Sequence, residues 1–87
     1  MNVQEEVQTA LKNQKVVLGY RRSIKFIKLN SPKLIVICNN LPEKVRNEIE
    51  HNAKVSGAKV ETFNGTSKEL GIICSKPFPV STLVIKG

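Results

Sequence analysis

Two rhythms of apolar and polar positions run along this chain, and they mark its elements. Val3, Val7 and Leu11 recur every four residues on a polar background, which predicts a helix with one buried stripe ending near Asn13. Val16-Val17-Leu18 is a short apolar run stopped by Gly19 and reads as a strand. Tyr20, Ile24 and Ile27 return to helical spacing and predict a second helix to about Leu29. Asn30-Ser31-Pro32 is turn chemistry. Then comes the stretch around which the rest is organised. Leu34 to Cys38 is an unbroken apolar run that ends abruptly at Asn39 and Asn40. A continuous run rich in β-branched residues predicts a strand buried on both faces.

The second half repeats the alternation. Asn40-Leu41-Pro42-Glu43 has the spacing of a capping box, with Asn40 as the N-cap of a third helix. Val45, Ile49 and Ala53 form that helix's buried stripe, and Gly57 is its natural stop. Lys59 to Phe63 is the next strand and Asn64-Gly65 a turn. Thr66-Ser67-Lys68-Glu69 is a second capping box, after which Leu70, Ile73 and Cys74 face the core. Ser75-Lys76-Pro77-Phe78-Pro79 is a stiff loop, and Val80 to Ile85 the last strand. Helix and strand alternate throughout, which predicts one α/β domain over residues 1–87. Its architecture is a three-layer α/β/α sandwich on a small four-stranded mixed sheet.

Charge changes the picture. Lys and Arg number 14 against 7 acidic residues, all glutamate, for a net charge of +7. No acid occurs between Glu6 and Glu43, an interval that holds Lys12, Lys15, Arg21, Arg22, Lys25, Lys28 and Lys33. One-signed charge on a small domain attracts polyanions, nucleic acid foremost. A solubilising surface without a partner is the bland alternative.

The usual enzyme chemistries lack their groups. The one histidine, His51, falls off the Val45, Ile49, Ala53 stripe and reads as a surface residue. Cys38 lies in the buried run and Cys74 at a helix end, so they read as unbridged core thiols without metal-ligand spacing. There is no aspartate, and no glycine-rich phosphate loop. No cofactor and no metal are expected. The N-terminus carries no secretory pattern, and no apolar stretch is long enough to span a membrane.

Three loops can share one edge of such a sandwich. Gly19 precedes a helix start whose backbone N–H groups suit phosphate, with Arg21, Arg22 and Lys25 following. Asn39 and Asn40 offer amides to a base. Lys76 is a further cation, and Phe78, between two prolines, is placed to stack on an unpaired base. Each has a plainer reading: Gly19 as a turn residue, Asn40 as a cap, Phe78 as core under the loop, the arginines as solvated charge. Tyr20 is expected to pack against Ile24.

Four ordered motifs carry a resemblance. They are Val17 to Lys25, Lys33 to Pro42, Gly65 to Gly71, and Lys76 to Ser81. In order and spacing they resemble the L-thirty-e family of large-subunit ribosomal proteins of archaea and eukaryotes, within the L-seven-Ae superfamily of kink-turn RNA binders. The resemblance implies a sandwich whose loops at one end clasp a kink-turn or similar internal loop of ribosomal RNA. By motif position the RNA contacts fall on Gly19, Arg21, Asn40 and Phe78, with Lys25 matching a lysine common to the superfamily. It further implies a cytoplasmic place on the ribosome, neighbouring ribosomal proteins as further partners, and a monomer when free. Two other readings stand beside it. One is a small α/β domain binding an anionic metabolite or nucleotide at the same strand ends. The other is an adaptor between proteins of a ribonucleoprotein, which calls for an exposed apolar patch.

Overall fold

The computed structural model describes residues 3–30 and 32–86. The predicted turn at Ser31 and the side chain of Val3 lie outside the described residues. The elements follow the two rhythms closely: α1 (Val3–Lys12), β1 (Val16–Leu18), α2 (Tyr20–Leu29), β2 (Leu34–Cys38), α3 (Glu43–Ser56), β3 (Lys59–Phe63), α4 (Ser67–Ile73) and β4 (Thr82–Ile85).

The sheet is mixed, in the order β1-β4-β2-β3. β2 pairs parallel with β3, while β4 lies between β1 and β2 and runs antiparallel to both. The continuous run Leu34 to Cys38 sits in an inner strand, and all five residues are buried. Alternate residues feed two cores. Val36, Cys38, Leu83 and Ile85 face Val7, Ala10 and Leu70 on the side of α1 and α4. Ile35, Ile37 and Val84 face Ile24, Ile27, Ile49 and Ala53 on the side of α2 and α3. Two helical layers with the sheet between them form the predicted α/β/α sandwich.

Two expectations shift at element ends. The last strand begins at Thr82, not Val80. Val80 is buried, but its N–H donates to the Ser67 carbonyl at 3.0 Å, so the helix start holds this residue instead of the sheet. The third helix begins at Glu43 with Pro42 at its N-cap and no side-chain capping bond. Asn40 therefore does not cap it. Of the second capping box the N-cap half forms: the Thr66 hydroxyl accepts from the Glu69 N–H at 3.3 Å. Gly57 ends α3 in the left-handed conformation, φ 75°.

Candidate nucleic-acid interface

Strand direction decides which loops meet. β1, β2 and β3 run one way and β4 the other, so three carboxyl ends and the amino end of β4 share one end of the sheet. Backbone bonds lace that end together. The Gly19 N–H donates to the Thr82 carbonyl at 2.9 Å, that of Cys38 to Ser81 at 3.0 Å, and that of Asn39 to Gly65 at 3.0 Å. This is where ligands gather on open α/β sheets.

Gly19 turns β1 into α2 at φ 98°, ψ 149°, a conformation essentially closed to residues with a Cβ. It is the N-cap of α2 and supplies no side chain to the first-turn N–H groups. Arg21 and Arg22, in that first turn, are exposed. Lys25 lies one turn on. Arg22 and Lys25 line a groove with Phe26 and Leu29 beside the outer edge of β1, so these two cations flank the sheet end. Tyr20 is half-buried in the α2–α3 core. The Glu48 carboxylate beside its hydroxyl, together with burial, raises the phenol above its usual range. Tyr20 holds α2 to α3 and is no stacking platform.

Asn39 and Asn40 are exposed at the end of β2. The Asn40 Oδ1 accepts from the Ser67 N–H at 3.2 Å, in the first turn of α4. The parallel β2–β3 pairing brings the start of α4 beside the end of β2, which gives the amide a nearer donor than its own downstream helix. With Oδ1 engaged, Nδ2 and its two N–H donors are what Asn40 has left to offer outward. Behind it, burial pushes the thiols of Cys38 and Cys74 up, so both free cysteines are poor nucleophiles.

The 76–81 loop leaves the tail of α4 and climbs back to its start. The Lys76 N–H donates to the Gly71 carbonyl, and by Val80 the chain is bonded to Ser67. Phe78 lies between these two ties and is 51% exposed. Its backbone passes so close to Gly71 that a methyl there would overlap the Phe78 carbonyl. The fold thus gathers Gly19, Asn39, Asn40 and the upper part of the loop at one end. Lys76 is tied by its N–H to Gly71 at the base of that loop, and Arg22 and Lys25 lie on the flank.

Three residues that position this site read in the sequence only as turn, cap or motif positions and not as site residues: Ser67, which ties both Asn40 and Val80; Gly65, which receives Asn39; and Gly71. Gly71 had a visible signal, since a glycine inside so short a helix is costly unless something must approach it closely. His51 is exposed on α3. Among the described residues, no three His, Cys, Asp or Glu side chains converge on a metal position.

Comparison with known proteins places this geometry. The model of the ribosomal protein L7Ae/L30e/S12e/Gadd45 family matches residues 1–87. The chain belongs to this family. It is 40% identical to the large ribosomal subunit protein eL30 of Methanocaldococcus jannaschii over 98% of its length and 77% of the relative's. It is 41% identical to that of Methanothermobacter thermautotrophicus over 99% and 88%. Among solved structures, the Giardia lamblia 15.5kD RNA binding protein superposes with a TM-score of 0.86 at 16% identity, covering 98% of this chain and 71% of that one. A Bacillus halodurans protein of unknown function gives 0.85 at 11% identity, covering 97% and 83%. At those identities the L7Ae-type fold is what is shared.

Proposed function

We propose that this chain is a non-enzymatic RNA-binding protein of the large ribosomal subunit, and that it recognises a kink-turn or a similarly bent internal loop of ribosomal RNA. Membership of the L7Ae/L30e/S12e/Gadd45 family and its likeness to proteins named large ribosomal subunit protein support the ribosomal assignment. The observation that supports the RNA reading is the meeting, at one end of the sheet, of an uncapped helix start behind Gly19 and an anchored amide at Asn40, with the exposed Phe78 on the loop whose Val80 returns to that end.

Each group has a separate task. The first-turn N–H groups of α2 and the Arg21 guanidinium take phosphate, which sets orientation. Asn40, its oxygen held by Ser67, acts through Nδ2 as a donor and selects an acceptor on a base edge. Asn39 flanks it. Phe78 stacks on an unpaired base. Arg22, Lys25 and Lys76 add phosphate contacts from the flanks.

The test is gel-shift titration against a kink-turn RNA and a straight, fully paired control. The kinked RNA should bind much more tightly, and equal affinity for both would reject shape recognition. Phe78→Ala should weaken kink-turn binding by about 1–3 kcal/mol, the range for a lost base stack, with an unchanged salt dependence. A reduced salt slope would mean that the loop, not the ring, makes the contact.

A further inference from the structure

The two edges of the sheet are finished differently. At one edge, β3 is blunted by charge: its Lys59 and Glu61 form an ion pair at 3.2 Å, and Arg46 donates to the Thr62 hydroxyl at 3.2 Å. At the other edge, β1 is Val16-Val17-Leu18, with no charged residue. Its pairing shows which backbone groups are left over. The Gly19 N–H donates to the Thr82 carbonyl, and the Lys86 N–H to the Lys15 carbonyl. Bonded positions alternate along an antiparallel ladder. Lys15, Val17 and Gly19 therefore turn toward β4. Val16 and Leu18 direct their N–H and C=O groups outward, where no further strand lies among the described residues.

An open groove runs along this edge, walled by α2. Its apolar part is Phe26 and Leu29, and Leu29 is 72% exposed. Its charged part is Arg22 and Lys25, and no acid is on the lining among the described residues. A helix rises about 1.5 Å per residue, so Arg22 and Phe26 stand about 6 Å apart along α2. Two residues of a strand advance about 6.7 Å. An extended chain laid against β1 thus presents alternate side chains at the spacing of the cations and the apolar pair.

We infer that the outer edge of β1 is a docking site for an extended segment of another protein, which adds to the four-stranded sheet as one more strand. The segment carries an acidic residue opposite Arg22 and Lys25, and an apolar residue two positions away over Phe26 and Leu29. Main-chain bonds to Val16 and Leu18 supply the attachment, and the alternating side chains the selection. Charge decides against a second copy of this chain, since each copy brings a net charge of +7 and the same two cations to the edge. Only Arg22 and Lys25 are shared with the proposed RNA surface; the strand edge and the apolar pair are not.

The experiment titrates the full chain, without RNA, with a short capped peptide in which Glu and Val occupy alternate positions between threonines. Amide exchange is followed by NMR. The Val16 and Leu18 N–H groups should exchange about tenfold more slowly or better with peptide bound, because they gain partners. Leu29→Glu, at an exposed position, should weaken the peptide about fivefold or more and leave kink-turn affinity within about twofold. Val16→Pro removes an outward N–H and no ladder bond, and should weaken the peptide as strongly. A peptide with proline at its central position should not bind. If it binds equally well, or if Val16 and Leu18 gain no protection, the acid has only met the cations and the proposal is overturned. Protection of the same two amides by RNA, or by a concentration-dependent dimer of the chain alone, would assign the edge to those partners and reject it. Because no RNA enters the titration, failure of the kink-turn reading leaves its outcome untouched.

Discussion

The starts of α2 and α4 lie at the same end of the sheet, yet they handle their unpaired N–H groups in opposite ways. At α4 two of the donors are satisfied from within, Glu69 by Thr66 and Ser67 by Asn40, and the Ser67 carbonyl accepts the Val80 N–H. At α2 the N-cap is a glycine, and no side chain serves the first turn. A helix start without an internal partner keeps its partial positive charge for something outside. α4 is therefore the scaffold of this end, and α2 its contact surface. The same division explains why the amide at Asn40 is fixed while the arginines of α2 stay in solvent.

The sharpest way to break the scaffold side is Gly71→Ala. The added methyl would overlap the Phe78 carbonyl and press on Pro79, both backbone, so neither can yield by a rotamer change. Overpacking of this kind costs about 3 kcal/mol at its upper end. We expect a matching drop in stability by denaturant unfolding, together with weaker kink-turn binding as Phe78 is displaced. Wild-type stability would show that the loop does not rest on α4.

On the contact side, Gly19→Ala isolates backbone strain. No atom lies within 4 Å of the added Cβ, so the cost comes from φ 98° alone, about 2 kcal/mol. Stability should fall by that amount, while the arginines keep their charge. A stability loss well below this would mean that the turn relaxes and that the glycine is dispensable to the geometry of α2.

Asn40→Asp separates the two roles of one residue. The carboxylate keeps an acceptor for the Ser67 N–H and adds negative charge at a helix N-terminus, where it is favourable. Stability should hold or rise slightly. The Nδ2 donors are gone, and RNA affinity should fall by about 1.5 kcal/mol or more. Unchanged affinity would make Asn40 a structural tether and nothing else.

The main architecture of this end was legible in the sequence, because it depends on local pattern. The unbroken run Leu34 to Cys38 read as a strand buried on both faces, and Gly19 between a strand and a helix marked the turn. The destination of the Asn40 amide was not legible. Asn40 and Glu43 have capping-box spacing, but Pro42 takes the N-cap position, and Ser67, distant in sequence, lies closer in space. That contact exists only once β2 and β3 have paired in parallel, and no local spacing encodes the pairing. Val80 was misread for the same reason: its apolar character fits a strand, but its N–H is claimed by Ser67.

The smallest expected effect probes how tightly the scaffold is coupled. Thr66→Ala removes one cap, worth about 1 kcal/mol of stability, and touches no proposed RNA contact. Kink-turn affinity of the folded protein should be unchanged so long as the Asn40–Ser67 bond survives. The two caps act on one helical turn, so fraying at Thr66 should loosen the Ser67 N–H that Asn40 holds. A double-mutant cycle of Thr66→Ala with Asn40→Ala should then show a coupling of about 0.5 kcal/mol or more, since residues sharing a hydrogen-bond network are not additive. Strict additivity would mean that Asn40 is positioned by β2 alone, and the amide would owe its orientation to the sheet and not to α4.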